Sequence, residues 1–398
     1  MSPLIYALLL GAAASAVMYG LAIWSTRRHL AAGRVAESLP DAAYPPISLL
    51  KPIKGLEDEL EQNLRSFFEQ DYPAPFELIF SSEEPATDPG VALARRVARD
   101  YPHVPARFVA CDRDFGLNPK VANLKGALMG AQHDLVFQSD ANVRARRDYL
   151  RRVVAELVLA DASILSSIVV GVGERSLGAA LENLQLTALI GPSVCTALHV
   201  GRTSCVIGKS MLFRRSELRA LGGLEVVRDI LCEDFILGQL YQTNGHRVIL
   251  STTTIENVNR DTTVEAFFGR HSRWLKMRAV IHFGSFIADL FANPIAWSLA
   301  AVIASDGSAL PLFALIASIA YKLAGDMYFM RALRPEPMAF AHLALGPIKD
   351  VAMAFVWVYS LFSRTVRWRG RRLRFGAKSL LRPDDGMLPV RMARKLLG

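Results

Sequence analysis

Arg270-His271-Ser272-Arg273-Trp274 follows an isolated Glu233-Asp234 pair in this chain of 398 residues. Three more polar clusters come before them: Glu83-Glu84, then Asn118-Pro119-Lys120 with Asn123, then Ser139-Asp140-Ala141-Asn142. These residue types suit displacement of a phosphate-linked group by a hydroxyl. One carboxylate can take the hydroxyl's proton, another can seat a hard divalent cation, and Lys or Arg can neutralise the departing phosphate. Each cluster alone also has an ordinary structural reading, so the weight rests on the set.

Asp140 follows the apolar run Leu135–Gln138, so its carboxylate projects near a strand tip. It could hold Mg²⁺ or Mn²⁺ there, against phosphate oxygens. Ser-Asp-Ala-Asn is also good turn and N-cap chemistry. Asp234 opens a helical pattern through Ile236, Leu237 and Leu240, and reads either as a helix cap or as a general base. Its neighbour Glu233 is expected to point elsewhere. Lys120 and Asn123 begin a helix after Gly116-Leu117-Asn118-Pro119. Helix amides plus a Lys would make a phosphate site, or the stretch is a plain turn-to-helix entry. Glu83 and Glu84 stand before Pro85, either accepting from a nucleoside or solvated in a loop. Val264 to Arg278 reads as a basic amphipathic helix. One reading puts Arg273 at a diphosphate and Trp274 against an acceptor; the other makes the helix an interfacial membrane element. Taken together, the clusters imply sugar transfer from a nucleoside diphosphate to a hydroxyl.

The elements that must position these residues alternate. Candidate strands are Ile47–Lys51, Phe76–Ser81, Ala106–Val109, Leu135–Gln138, Ile164–Ile168, Met211–Phe213 and Val248–Leu250, with helical patterns such as Asp58–Gln70 and Val91–Asp100 between them. The pattern predicts an α/β domain over 44–262 with a mostly parallel sheet covered on both faces. Ligands bind such sheets beyond the carboxyl ends of the strands, where most of the clusters fall.

Hydrophobic residues make up 52% of the chain, so membrane segments are expected. Leu4 to Trp24 is an uncharged apolar run of 21 residues, about 30 Å at roughly 1.5 Å per residue. It reads as an anchor over 1–26, and Arg27, Arg28 and His29 behind it place the next domain in the cytoplasm. Residues 263–282 form the candidate interfacial helix. Phe286–Ala304 and Leu310–Phe329 read as a membrane hairpin over 286–329, turned at Ser305-Asp306-Gly307-Ser308. Asp289 and Asp326 should reach water, and Lys322 should snorkel to the interface. Met338–Phe362 is interrupted by Gly346-Pro347-Ile348-Lys349-Asp350. A charged pair in mid-span favours a re-entrant element there over a third C-terminal crossing.

The net charge is +9, and Ser363–Gly398 supplies all of it, with 11 basic residues against two acids. A basic tail over 363–398 beside an apolar segment suits an anionic bilayer surface, not nucleic acid. Its final third reads equally well as a solvated, disordered stretch. Cys111, Cys195, Cys205 and Cys232 show no zinc spacing; a pairing of Cys205 with Cys232 stays open.

With these residues in view, the chain resembles family 2-like and family 21 glycosyltransferases of the GT-A fold, the group of ceramide glucosyltransferase and its bacterial relatives. Glu83-Glu84, Asp140, Asp234 and Arg270-His271-Ser272-Arg273-Trp274 match the group's three acidic positions and its (Q/R)xxRW motif. Leu50-Lys51-Pro52-Ile53-Lys54-Gly55, the Asn63–Pro73 stretch and Asn118–Leu124 match its opening strand and helices. Trp368-Arg369-Gly370-Arg371-Arg372 is similar to the ending of bacterial members associated with hopanoid biosynthesis.

The resemblance implies a GT-A nucleotide-sugar-binding domain between N- and C-terminal transmembrane helices, with catalysis by Asp234, Arg273 and Trp274. It implies donor binding by Lys54, Glu83, Glu84, Lys120, Asn123, Asp140 and Arg270, with Glu84 preferred over Glu83 and a divalent cation on Asp140. It also implies transfer of N-acetylglucosamine from a UDP-sugar to a hopanoid polyol, bacteriohopanetetrol, with inversion, in a bacterial inner membrane. Glucosylation of ceramide or diacylglycerol is the alternative. Processive polysaccharide synthesis shares the Arg-Trp motif but needs more spans. A lipid-binding scaffold would put its polar sites inside the spans, and a retaining glycosidase leaves the Arg-Trp motif unexplained. The pattern departs from the group at Glu83-Glu84, where Asp-Asp is usual, and at Asp-Ala-Asn in place of Asp-x-Asp.

Overall fold

The computed structural model describes residues 2–33, 39–111, 114–363, 365–368 and 371–383. Eight strands form one sheet: β1 (Ile47–Pro52), β2 (Phe76–Ser82), β3 (Ala106–Ala110), β4 (Leu135–Gln138), β5 (Val143–Arg144), β6 (Ile164–Val172), β7 (Met211–Arg214) and β8 (Val248–Val258). Their order is β3-β2-β1-β4-β7-β6-β8-β5. The expected α/β class is observed and every expected strand is present, with β6 and β8 running longer. The sheet is mixed: β7 is antiparallel to β4 and β6, and β5 is antiparallel to β8.

β1 is buried along its whole length because helices cover both faces. Its side chains alternate between two cores. Leu49 packs with Leu64, Phe67 and Val153 on one side, and Leu50 with Val121, Leu124 and Leu237 on the other. The antiparallel β7 has a consequence for function. Gln138 at the end of β4 pairs with Met211 at the start of β7. The turn entering β7 therefore stands beside the loop leaving β4, where Asp140 lies.

Among the described residues, three helices are long and apolar enough to cross a membrane: Pro3–Gly33, Ala309–Leu333 and Phe340–Phe362. Phe283–Leu290 and Pro294–Ala304 make a fourth candidate as a pair bent by 57°. The first arm of the expected hairpin is thus broken. Asn293 caps the new helix by accepting from Ala296 N–H, and Pro294 starts it. Lys322 does not snorkel, and Asp326 does not reach water. Lys322 Nζ lies 2.7 Å from Asp326 Oδ1 and 3.2 Å from Asp350 Oδ2, all three side chains being buried. Asp289 pairs with Arg278. Lys349 Nζ reaches Asp350 Oδ1 at 2.7 Å and Gln185 Oε1 at 2.7 Å. The charged pair that argued against a crossing at Met338–Phe362 is therefore neutralised inside the protein.

The described part of the basic tail is folded. β9 (Thr365–Trp368), β10 (Arg371–Phe375) and β11 (Leu381–Pro383) form a small antiparallel sheet. Leu231 N–H donates to Ser379 O at 3.0 Å, and Leu381 N–H donates to Asp229 O at 2.7 Å. Arg369 and Gly370 of the tail match, and the final third read as solvated, lie outside the described residues. None of the four cysteines is in a disulfide.

Candidate active site

The site is built on the loop leaving β4. Lys51, fully buried in β1, donates through Nζ to Asp140 O at 2.6 Å and to Ser139 Oγ at 3.4 Å. Burial pushes its ammonium well below the usual lysine range, although Asp140 opposes this. The carboxylate of Asp140 faces two lysines. Oδ1 lies 3.4 Å from Lys120 Nζ and Oδ2 lies 3.2 Å from Lys209 Nζ. Lys209 Nζ also donates to Asn142 Oδ1 at 3.0 Å.

Asp234 does not act as an N-cap. Its Oδ2 accepts from Gly208 N–H at 2.7 Å and its Oδ1 from Phe235 N–H at 2.8 Å. Gly208 belongs to the turn before β7, closed by Ser210 N–H donating to Ile207 O at 3.0 Å. A Cβ on Gly208 would stand 2.6 Å from Lys120 Nζ and 3.0 Å from Asp234 Oδ2, so a larger residue would push on the tips of both side chains. Its carbonyl accepts from Gln138 Nε2 at 3.1 Å. One turn thus ties the Asp140 and Asp234 sides together.

Glu233 does not point elsewhere. It is buried, pairs with Lys120 Nζ at 3.0 Å and faces the same cavity as Asp234. Burial raises its carboxyl, with Lys120 opposing. Burial would lower Lys120, but Asp140, Glu233 and Asp234 hold it well above the usual lysine range, so it stays charged. The helix start at Asn118 is not an open phosphate site either. The Asn118 side chain accepts from Lys120 N–H at 2.9 Å and Val121 N–H at 3.2 Å. Of the groups expected to bind phosphate here, these amides are occupied, whereas the Lys120 side chain lines the cavity.

The Arg-Trp motif lies on the helix Val264–Ile281. Its Phe267, His271, Leu275 and Met277 are buried, and the helix packs on Leu177–Gln185 and Gly346–Phe362. Glu182 of the first of these lies under the motif, fully buried. It pairs with Arg270 Nη1 at 2.9 Å and with His271 Nε2 at 3.1 Å. Burial favours its neutral form, but His271 and Arg270 outweigh that and hold the carboxyl at about 2. The Trp274 ring meets His271 edge-on at 5.1 Å.

Lys54, Lys120, Asp140, Asp234, Arg270, Arg273 and Trp274 all line one cavity of about 720 Å³. Apolar residues line the same cavity, among them Met18, Leu189, Val194, Ile281 and Ala288, with Met18 and Ala288 from candidate membrane segments. Three expected donor residues are not in its lining. Asn123 is buried in the helix Pro119–Gly130. Glu84 is exposed and accepts from Thr87 Oγ1 at 3.3 Å, and Glu83 is half-buried beside it. Asp88 of the same loop is half-buried and accepts from Gly55 N–H at 3.0 Å.

Lys51, Glu182, Gly208 and Lys209 were not anticipated. Glu182 carried a signal, as a lone carboxylate within the apolar helical run Leu177–Gln185. Gly208-Lys209 carried only a glycine and a charge just before a strand. Among the described residues no three His, Cys, Asp or Glu side chains group as a metal site. Asp140 and Asn142 do offer two hard oxygens, which suits a divalent cation completed by phosphate oxygens.

The mannosyltransferase PcManGT from Pyrobaculum calidifontis, solved with GDP-Man and Mn²⁺, superposes with a TM-score of 0.47 at 18% identity, covering 89% of this chain and 98% of that one. S. aureus TarS 1-349 with UDP-GlcNAc gives 0.39 at 13% identity, covering 83% and 96%. In sequence, ceramide glucosyltransferase 1 of Caenorhabditis elegans is 29% identical over 245 residues, 60% of this chain. The chain spans only about half of that relative, 51% of its length. Ceramide glucosyltransferase 3 of the same organism is 24% identical over 339 residues, 83% of this chain and 72% of its own length. The ceramide glucosyltransferase of Komagataella phaffii is 33% identical over 193 residues, 43% of this chain and 38% of its own. The family model of glycosyl transferase family 21 matches residues 7–380, nearly the whole chain, and the chain therefore belongs to that family of glycosyltransferases.

Proposed function

We propose that this protein transfers a sugar from a UDP-sugar to the hydroxyl of a membrane lipid. One observation carries the reading: a single cavity is lined both by Asp140, Lys120, Asp234 and Arg273 and by apolar residues of candidate membrane helices. The charged lining suits a nucleoside diphosphate and the apolar lining suits acyl chains.

The chemistry is a single displacement. Asp234 takes the proton of the lipid hydroxyl, and the freed oxygen attacks the anomeric carbon. The bond from that carbon to the diphosphate oxygen breaks, and the electron pair leaves with UDP. Lys120, Arg270 and Arg273 stabilise the charge that builds on the diphosphate. Asp140 and Asn142 would hold a Mg²⁺ or Mn²⁺ ion, which supplies further neutralisation when bound. In-line attack inverts the anomeric centre. The catalytic domain faces the cytoplasm, where UDP-sugars reside, with the apolar helices in the inner membrane.

Ceramide is the better supported acceptor, because each relative named above is a ceramide glucosyltransferase. Glucose then replaces N-acetylglucosamine as the favoured sugar, and a hopanoid polyol becomes the second acceptor to test. The test is purified protein in detergent with UDP-glucose or UDP-N-acetylglucosamine, offered ceramide, diacylglycerol and bacteriohopanetetrol, with the lipids read by mass spectrometry. Glucosylceramide is the expected product. A product only on the hopanoid would reverse the acceptor, and sugar on no lipid would end the reading.

A further inference from the structure

Lys209 holds an unusual position. Its Nζ stands 3.2 Å from Asp140 Oδ2 and 3.0 Å from Asn142 Oδ1. Those are the two hard oxygens a divalent ion would use. An ammonium and a dication within about 4 Å repel strongly where water is sparse, so the two cannot share the seat. Lys120, a second cation on Asp140, is also tethered elsewhere, to Glu233 Oε1 at 3.0 Å and Gly208 O at 3.4 Å.

The backbone under Lys209 is fixed. Gly208 N–H is held by Asp234, Ile207 N–H donates to Ser166 Oγ at 2.9 Å, and Ser210 Oγ contacts Tyr149 OH at 2.6 Å. Only the four-carbon stem of Lys209 can move, and it lines the cavity that Arg270 and Lys54 also face. A diphosphate arriving there would give its ammonium a new partner.

We propose that Lys209 is a donor-binding residue that competes with a divalent cation for Asp140 and Asn142, so that the cation is held firmly only once the donor's diphosphate has drawn the lysine away. This rests on the nucleotide-sugar reading of the site. The arrangement makes cation loading and donor arrival mutually reinforcing, a positive coupling between two ligands of one site. It also keeps Asp140 neutralised when no donor is present.

The experiment is a Mn²⁺ titration of the full-length protein in detergent, followed by electron paramagnetic resonance of free Mn²⁺, with and without UDP. Wild type is expected to bind Mn²⁺ weakly alone and tightly with UDP. Lys209→Met should bind Mn²⁺ about tenfold more tightly without UDP, equivalent to roughly 1.4 kcal/mol. UDP should then strengthen Mn²⁺ binding by a smaller factor than in wild type, and UDP affinity at saturating Mn²⁺ should fall. Lys209→Arg keeps the charge and should keep the wild-type coupling. Unchanged UDP-free Mn²⁺ affinity in Lys209→Met overturns the proposal. Asp140→Asn separates this from failure of the underlying reading. If it binds Mn²⁺ and UDP as wild type does, the site itself is misplaced, whatever Lys209 does.

Discussion

Asp234 is a carboxylate held by two backbone N–H groups, so its position does not depend on its charge. Asp234→Asn can keep the Gly208 contact through its amide oxygen while losing the ability to accept a proton. Turnover should fall roughly 10²- to 10⁴-fold. UDP-sugar affinity by calorimetry should stay within a few-fold, and comparable losses in both would mean that Asp234 binds instead of catalysing. Glu182 behaves differently, because its charge is what it contributes. Its carboxyl is held at about 2, below its ordinary 4.5, so its stabilisation is complete above about pH 4.5 and is lost as pH falls toward 2. The loss should approach about 3 kcal/mol. Glu182→Gln should show a flatter fall in melting temperature between pH 5 and pH 2 than wild type; parallel curves would contradict the ion pairing. Sequence alone singled out Asp140, Asp234 and Arg273, which line one cavity, because each is a polar residue beside an apolar run. It did not show Glu182 or Lys209, whose meaning lies in partners far along the chain. Glu83 and Glu84, of which Glu84 was preferred, do not line the cavity, and Asp88 of the same loop drew no notice. Adjacent carboxylates stand out in a sequence, whereas Asp88 is distinguished by the backbone N–H groups of Gly55 and Gly90 folded around it.

At the scale of elements, the strands were legible because β-branched and apolar runs between turns mark them, and a buried parallel strand needs both faces apolar. The two-residue β5 has no such run. The reversed direction of β7 has no local signature, and it is what brings Gly208 and Lys209 to the tip of β4. The tail sheet was hidden by its own charge. Nine arginines between Ser363 and Gly398 suggest solvent, but Phe375 and Leu381 turn inward against Leu231 and Met277. That contact braces the segment leading into Glu233-Asp234 and the inner face of the Arg-Trp helix. Phe375→Ala should therefore cost about 3–5 kcal/mol of stability. Turnover should fall by more than UDP affinity at a temperature where the protein is still folded. Thermal melts and steady-state kinetics on the same preparation check this. Unchanged turnover in a destabilised variant would reduce the tail to a fastener with no hold on the site.

At the scale of the molecule, the apolar helices and the catalytic domain are joined by a buried polar knot. Tyr19 OH donates to Asp326 Oδ1 at 2.6 Å, and Lys322 bridges Asp326 and Asp350. Lys349 reaches from Asp350 to Gln185, which leads into the π-helical stretch Leu186–Ile190 on the cavity wall. Two lysines and two aspartates cancel, so the knot is neutral only when the helices that carry them are assembled. Composition could not reveal this, because each charge taken alone reads as an obstacle to membrane crossing. Breaking such a knot from one side leaves an uncompensated buried charge, which costs about 3–5 kcal/mol. Lys322→Met should lower the melting temperature in detergent sharply. Adding Asp326→Asn restores neutrality and should recover much of the loss, although it removes a second native group. The double variant should thus be more stable than Lys322→Met alone, a sign that no sum of independent losses can produce. A double variant less stable than Lys322→Met would show the residues acting separately, and the apolar helices would then be held together by packing alone.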